Sequence, residues 1–201
     1  MTSNYQLLPA EIAAPEAARP RMLLLATAFV SLATTMGFAS LIGLYVATRA
    51  DVIRTGETWL PRGVTIPLTQ PNMMMFTMVF SAATLAWAIQ AMRNDDRANF
   101  YIASAVTLLL GFGFVSQSAY LLTIMELDIR SIDRAPLFFA VIGTHMAITV
   151  AAMAYLAGMT LRALGGNYNA RDLEGIYGAT MFWYTTVGLY LVVWFAVYIT
   201  K

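Results

Sequence analysis

Five long apolar stretches dominate the pattern of the chain, and charged residues bound each of them. A hydrocarbon core about 30 Å thick is crossed by roughly 20 helical residues at 1.5 Å per residue, and each stretch reaches that length. Strands of a membrane barrel would instead be roughly 10 residues long, with alternating polarity. The pattern therefore predicts an all-α transmembrane bundle of five helices, at about residues 22–47, 73–92, 100–125, 137–161 and 177–199.

The polar segments between these stretches predict the remaining organisation. Residues 1–20 are of mixed polarity and are expected to form an N-terminal tail, so the five-helix domain occupies residues 21–201. The apolar run that starts at Met22 is longer than the core of a signal peptide, so we interpret it as a retained helix. Residues 93–99 are expected to form a tight polar turn. Residues 48–72 form the longest predicted loop, in which Trp59 is expected at the level of the lipid headgroups.

Composition supports a membrane protein and narrows the chemistry. Hydrophobic residues make up 59% of the chain and charged residues only 11%, whereas soluble domains carry roughly 25% charged residues. The net charge of +1 gives no indication of a nucleic-acid partner, and the absence of cysteine excludes disulfides and thiolate metal sites.

Charge does not predict the orientation of the bundle in the membrane. Five spans place the two termini on opposite sides, and the positive-inside rule compares the basic residues of the two sides. Each side carries six: on the N-terminal side Arg19, Arg21, Arg93, Arg97, Arg162 and Arg171, and on the other side Arg49, Arg54, Arg62, Arg130, Arg134 and Lys201.

The interiors of the predicted spans contain no Asp, Glu, Lys or Arg, and His145 is the only histidine of the chain. Transporters and proton pumps place charged groups at this depth, so the pattern argues against a self-contained ion or proton path. One imidazole cannot supply a bis-histidine haem, and copper sites usually need several. The methionines at the start of the second helix are typical of adaptable packing rather than of a haem ligand. We therefore expect no cofactor in this chain.

Uncharged polar and small residues remain as candidates for packing between helices. Hydroxyl and amide side chains within the spans are expected to form interhelical hydrogen bonds: Thr34, Thr35, Ser116, Gln117, Ser118, Thr185 and Thr186. Small residues at helical spacing let backbones approach closely. On the fourth helix they are expected to pack within the chain: Gly143, Ala147, Ala151, Ala154 and Gly158.

The order of several motifs resembles subunit III of the haem-copper respiratory oxidases, in its short five-helix bacterial form. The first helix runs from Met36 through Phe38–Ala39 and Tyr45 to Arg49–Ala50, which is similar to the family run E-L-M-F-F-A-G-L-F-A-x-Y with its terminal Arg-Ala. The third helix combines Gly111 and Phe114 with Ala119–Tyr120, the fourth opens with Gly143–Thr144–His145, and the fifth carries Trp183 before an aromatic-rich run. Helix number and motif order agree together over residues 30–201.

The chain departs from the resembled pattern at its ionisable positions. The family carboxylate of the first of these helices falls on Thr34, and the glutamate after Ala-Tyr falls on Leu121. The second histidine of the fourth helix falls on Ile148, and the histidine and aspartate of the last helix fall on Tyr184 and Val187. His145 alone is retained, which weakens any expectation that this chain tunes proton entry.

The resemblance implies a non-catalytic subunit III-like component of an aerobic terminal oxidase, a cytochrome c oxidase of the aa3 type. Such a subunit stabilises the haem- and copper-bearing subunit I, assembles with subunits I and II, and binds phospholipid. It implies a multi-pass protein of a bacterial plasma membrane with a cytoplasmic N-terminus and a periplasmic C-terminus. The electron donor, cytochrome c or a quinol, and membership of a larger supercomplex stay open.

Four residues are candidates for packing or for lipid and subunit contact: His145, Gly143, Tyr120 and Trp183. His145 is either the remainder of a polar site or an imidazole hydrogen-bonded to a neighbouring helix, and the second is favoured because unpaired polar groups are costly in hydrocarbon. Two other functions remain open. One is a small oligomeric channel or transporter, for which residues 116–118 offer the only short polar cluster. The other is an assembly factor that associates transiently.

Overall fold

The described residues form a bundle of five α-helices, each long and apolar enough to cross a membrane. The computed structural model describes residues 21–59, 66–125, 133–166, 168 and 172–200. The helices are α1 (Met22–Arg54), α2 (Thr69–Arg93), α3 (Arg97–Ile124), α4 (Ala135–Leu164) and α5 (Glu174–Val193), and α5 continues as a π-helical segment, Trp194–Ile199. The predicted all-α transmembrane architecture is confirmed, and the predicted N-terminal tail lies outside the described residues.

The helices extend further than the apolar stretches that predict them. α1 runs to Arg54 instead of ending near residue 47, and α2 begins at Thr69 instead of residue 73. The predicted loop over residues 48–72 is shortened at both ends. A charged residue marks the end of an apolar stretch in the sequence, but it does not end the helix. Arg and Asp are compatible with a helix that continues beyond the apolar layer. In the last turns of α1, Arg54 pairs with Asp51 one turn earlier, over 3.3 Å.

α5 occupies the centre of the bundle, and the other helices are arranged around it. α5 contacts α1, α2 and α4, while α3 packs between α2 and α4. In the 18-residue apolar window of each span, 56% of the residues are buried for α5 with its π-helical end and 17% for α1. At one end Glu174 Oε1 accepts a hydrogen bond from the Leu24 backbone N–H (3.0 Å), and at the other Arg49 Nη1 donates to Thr200 Oγ1 (2.8 Å). α1 and α5 therefore run parallel.

The predicted polar turn between α2 and α3 is present and compact. It occupies Asn94–Asp96, with Asp95 in the left-handed region at φ 55°. Asp96 caps α3, because its carboxylate accepts hydrogen bonds from the Asn99 side-chain amide (2.6 Å) and the Asn99 backbone N–H (3.1 Å). These two bonds, the side-chain bond first, hold the pKa of Asp96 below its usual range.

The segment after α1 is fastened to the start of α4. Arg134 donates to the carbonyl oxygens of Trp59 (3.0 Å) and Thr58 (2.8 Å) and pairs with Glu57 (3.1 Å). Trp59 is buried, and its indole Nε1 donates to Tyr45 Oη at 2.9 Å while the two rings meet edge to face at 5.1 Å. Trp59 thus packs against the end of α1, in addition to any contact with the headgroup region.

Candidate functional site

His145 lies in the core of the bundle, where α4 faces α5. It is 2% exposed, and its Nε2 lies 3.1 Å from the carbonyl oxygen of Thr186 on α5. A carbonyl oxygen only accepts hydrogen bonds, so Nε2 carries the proton in this contact. The rings of Phe38, Phe114 and Tyr190 surround the imidazole with centroids 5.4–5.9 Å away. The interhelical hydrogen bond expected for His145 is therefore present.

Trp183 joins three helices at a second point of the core. Its side chain is fully buried, and its indole Nε1 donates to Ser81 Oγ on α2 at 3.0 Å. Ser81 in turn donates to the Met78 carbonyl oxygen at 2.7 Å, so its hydroxyl both donates and accepts. The far edge of the indole lies against Gly111 on α3, where an added Cβ would come within 2.7 Å of Trp183 Cη2. Gly111 provides the space that the indole fills.

The end of α5 is attached to the start of α2 by two further bonds. Tyr190 Oη donates to the Pro71 carbonyl oxygen at 3.0 Å, and Trp194 Nε1 donates to Asn72 Oδ1 at 2.8 Å. Pro71 and Asn72 belong to the first turn of α2. These aromatic side chains combine a large apolar body with one hydrogen-bond donor, which suits a helix contact inside a membrane.

Gly143 and Tyr120 lie elsewhere, on the outer surface. Tyr120 is 56% exposed, and Gly143 is exposed with no other atom within 4 Å of the position that a Cβ would take. The other small residues of α4 share this outer position: Ala147, Ala151 and Ala154 are exposed and Gly158 is half-buried. The expectation that this row packs within the chain is wrong, because α4 packs through a different face, which buries Phe138, Val141 and Leu156.

Most of the polar candidates bond within their own helices. Thr35, Ser118, Thr185 and Thr186 each donate to the carbonyl oxygen four residues earlier. Only Gln117 reaches another helix, through Nε2 to Thr77 Oγ1 at 3.4 Å. The expectation of interhelical bonds is thus wrong for the four hydroxyls, because a hydroxyl in a helix can bond the carbonyl of the preceding turn without help from tertiary structure.

Sequence reasoning missed several polar contacts that connect helices. Thr84 and Thr107 bond across α2 and α3 at 2.8 Å, and Thr27 and Tyr155 bond across α1 and α4 at 2.9 Å. Ser81, the acceptor for Trp183, was also missed. Threonine and serine are common in apolar helices, so only the proximity of a second polar group on another helix distinguishes these positions.

The positions at which this chain departs from the resembled pattern carry neutral side chains, and their surroundings differ. Leu121 and Val187 are buried in the core, while Tyr184 is 40% exposed and donates to the Ala82 carbonyl oxygen at 3.3 Å. Thr34 and Ile148 are half-buried. The described core around His145 therefore consists of aromatic, aliphatic and neutral polar groups. Within residues that the structure describes, no three His, Cys, Asp or Glu side chains group closely enough to hold a metal ion.

The chain matches one protein family over all five helices. The family model described as cytochrome c oxidase subunit III matches residues 21–201. The chain is 23% identical to cytochrome c oxidase subunit 3 of Carassius auratus over 156 residues, which cover 77% of this chain and 60% of that protein. The subunit 3 proteins of Oryctolagus cuniculus and Xenopus laevis are each 22% identical over the same shares. The chain thus spans about 60% of the length of these relatives.

The contact between Gly111 and Trp183 generates a test of the core. We expect Gly111→Ala to lower the free energy of unfolding by roughly 1–3 kcal/mol, because the new methyl group displaces an indole held by Ser81. Gly113→Ala is the matched control, since it lies on the same helix with nothing within 4 Å of its Cβ position. Its stability should be unchanged or slightly increased. Titration of both purified variants with SDS measures the difference, and equal stabilities would contradict the role given to Gly111.

Proposed function

The chain belongs to the cytochrome c oxidase subunit III family, and we propose that it is a non-catalytic subunit of an aerobic terminal oxidase of the aa3 type. In this role it packs on the haem- and copper-bearing subunit I, in a membrane assembly that includes subunit II. Electron transfer and oxygen reduction take place in those partners. This chain stabilises the assembly through its rigid bundle.

The family match over residues 21–201 is the observation that carries the proposal. The chemistry of the described core is consistent with it, since His145, Trp183 and Tyr190 form neutral hydrogen bonds between helices. Such bonds in membranes are worth roughly 0.6–1.7 kcal/mol each. They stabilise a fixed arrangement of helices, which is the property a supporting subunit requires.

We place a contact with the catalytic subunit on the outer face of α3 and α4. Gly143 is near the start of α4 and Tyr120 is near the end of α3, and both are exposed. Because these adjacent helices run antiparallel, the end of α3 and the start of α4 lie at the same end of the bundle. Small residues let a partner helix approach closely, and an exposed tyrosine supplies apolar area and a hydrogen-bond donor.

The channel alternative depends on a continuous polar file, and the cluster at residues 116–118 does not form one. Ser116 is exposed, Gln117 is half-buried against Thr77, and Ser118 is buried and bonded to the Phe114 carbonyl oxygen. Successive residues of a helix point about 100° apart, so these three side chains face different surroundings. The oxidase subunit is therefore the function we retain, and the assembly-factor alternative becomes an outcome of its test.

We further propose that the chain resides in a bacterial plasma membrane with its N-terminus in the cytoplasm. The turn between α2 and α3 then faces the cytoplasm, and the end of α1 faces the periplasm. We take this orientation from the resembled family. The basic residues do not determine it, because they are balanced between the two sides.

We propose that phospholipid binds near the C-terminal ends of α1 and of the π-helical segment that follows α5. Arg49 is half-buried there, its Nη1 donates to Thr200, and its buried Nε has no hydrogen-bond partner among the described residues. A lipid phosphate is an acceptor that suits a guanidinium at this depth. Exposed residues of α5 and its π-helical extension form an apolar path toward it for an acyl chain: Gly188, Leu191, Phe195 and Ile199.

The oxidase proposal predicts that haem co-purifies with this chain. Affinity purification from native membranes in mild detergent should give haem bands in the reduced-minus-oxidised spectrum, in stoichiometric amount. Gly143→Leu should reduce the haem recovered per chain severalfold, because the added side chain blocks the proposed contact without a clash inside the bundle. Gly37→Leu is the control, as Gly37 on α1 is also exposed, with nothing within 4 Å of its Cβ position. A colourless eluate would refute the assignment as an oxidase subunit. Haem in less than stoichiometric amount would favour an assembly factor.

The proposed orientation predicts opposite labelling of two introduced cysteines. The chain has no cysteine of its own, so each variant carries a single thiol. In intact cells a membrane-impermeant maleimide should label Thr55→Cys, after α1, and leave Asn94→Cys, between α2 and α3, unmodified. Both positions are exposed. The reverse pattern would show that the N-terminus lies outside, and labelling of both after cell lysis confirms that the thiols are reactive.

The lipid proposal predicts that a substitution of Arg49 lowers the amount of bound phospholipid, whereas a substitution of Arg54 does not. Arg49→Gln should release about one phospholipid per chain from the purified protein, because the amide cannot replace a charged donor to phosphate. Arg54→Gln is the control, since its side chain is 79% exposed and pairs with Asp51. Phosphorus assay and mass spectrometry of extracted lipid measure the content. Equal lipid in both variants would contradict the site.

A further inference from the structure

The residues that begin α1 provide no capping group for its backbone. The first N–H groups of a helix have no acceptor within the helix, and a side-chain oxygen usually caps one of them. Arg21 occupies the N-cap position of α1, and a guanidinium carries donors only. The first turn of α1 also contains no acidic side chain. The N–H groups at this helix start therefore need an acceptor from another part of the protein.

Glu174, the first residue of α5, supplies such an acceptor. Its Oε1 accepts a hydrogen bond from the Leu24 backbone N–H at 3.0 Å, and both residues are half-buried. Because α1 and α5 run parallel, the positive ends of both helix dipoles lie at this end of the bundle. One carboxylate thus stabilises the starts of two helices, through a bond between residues 150 positions apart in the sequence.

A second polar contact holds the next turn of α1. Thr27 donates its hydroxyl proton to the Leu23 carbonyl oxygen at 2.8 Å, so Tyr155 on α4 is the donor in the 2.9 Å bond between the Thr27 and Tyr155 side chains. Gly178 allows α5 to approach this pair, since an added Cβ would come within 2.6 Å of Tyr155 Oη. The two polar contacts connect the start of α1 to α5 and to α4.

The start of α1 has no buried apolar side chain to hold it in place. Thr27 and Ser31 are the buried residues of this part of the helix, and the first buried apolar side chain of α1 is that of Phe38. Met22 and Leu25 are 65% and 53% exposed. Burial of apolar area is the main source of packing energy, and here it is small. The first turns of α1 therefore depend on their polar contacts more than the rest of the helix does.

We propose that the Glu174 carboxylate is a latch that holds the start of α1 against α5, and that weakening its bond to Leu24 lets the first turns of α1 open while the rest of the bundle stays closed. A charged acceptor forms a stronger hydrogen bond to a backbone N–H than a neutral amide does. Its charge also interacts favourably with the dipoles of both helices. The proposal concerns this chain alone and does not depend on the oxidase assignment.

Hydrogen–deuterium exchange of the full chain in lipid nanodiscs, measured by mass spectrometry, tests the latch. Glu174→Gln keeps the shape and a neutral acceptor. It should speed exchange of the backbone amides at positions 24–31 about five- to tenfold, the factor expected between a charged and a neutral acceptor at a helix start. Exchange in α2 and α3 should be unchanged. Asp172→Asn is the matched control, because it removes a negative charge two residues away, where the carboxylate accepts from the Glu174 backbone N–H (3.5 Å).

A second variant keeps the proposal testable if Glu174→Gln fails to fold. Glu174→Asp retains the charge but withdraws it by about one C–C bond length, so the carboxylate no longer reaches Leu24, and exchange at positions 24–31 should again rise severalfold. Unchanged exchange in both Glu174 variants would overturn the proposal. An equal rise in Asp172→Asn would also overturn it, since the effect would then be one of net charge. Faster exchange across all five helices would show general unfolding instead of a local latch.

Discussion

The hydrocarbon of a bilayer offers no hydrogen-bond partners, so polar groups in the core are stabilised by partners within the bundle. α5 supplies many of these partners. It connects to α1 through Glu174, to α4 through Thr186, and to α2 through Trp183 and Tyr190. Because these bonds are spread along the helix, they fix the position of α5 along the bundle axis and its rotation about its own axis. α1, α2 and α4 are positioned by their contacts with α5, and α3 packs between α2 and α4.

The same constraint explains how the core tolerates the loss of ionisable groups. Where the resembled family carries a glutamate and an aspartate, this chain buries Leu121 and Val187. A carboxylate in the core would require a charged partner or a proton, whereas a leucine requires only close packing. The polar contacts around His145, Trp183 and Tyr190 are neutral and use the donors of an imidazole, an indole and a phenol. These three contacts do not depend on the protonation of an acidic side chain.

The number of helices was predictable from sequence because length and hydropathy determine which segments can cross a membrane. The rotation of each helix was not, because these helices are apolar on all sides and hydrophobicity does not distinguish a core face from a lipid face. The small residues of α4 were accordingly assigned to the wrong side. The hydrogen bond of His145 to a neighbouring helix was predictable, because a single buried imidazole needs a partner. Trp183 was recognised as a candidate, but its partner Ser81 was not, since one serine in an apolar helix carries no pairing signal.

The outer position of the small residues on α4 has a physical consequence. Lipid chains solvate a leucine as well as they solvate a glycine, so a helix that faces only lipid gains nothing from a row at Gly143, Ala147 and Ala151. A protein partner does gain, since its backbone approaches more closely and more atoms come into van der Waals contact. Within the bundle no neighbour occupies the space above Gly143. The row is therefore better suited to a contact outside this chain than to the chain's own fold, and this is the surface on which the proposed attachment to a catalytic subunit rests.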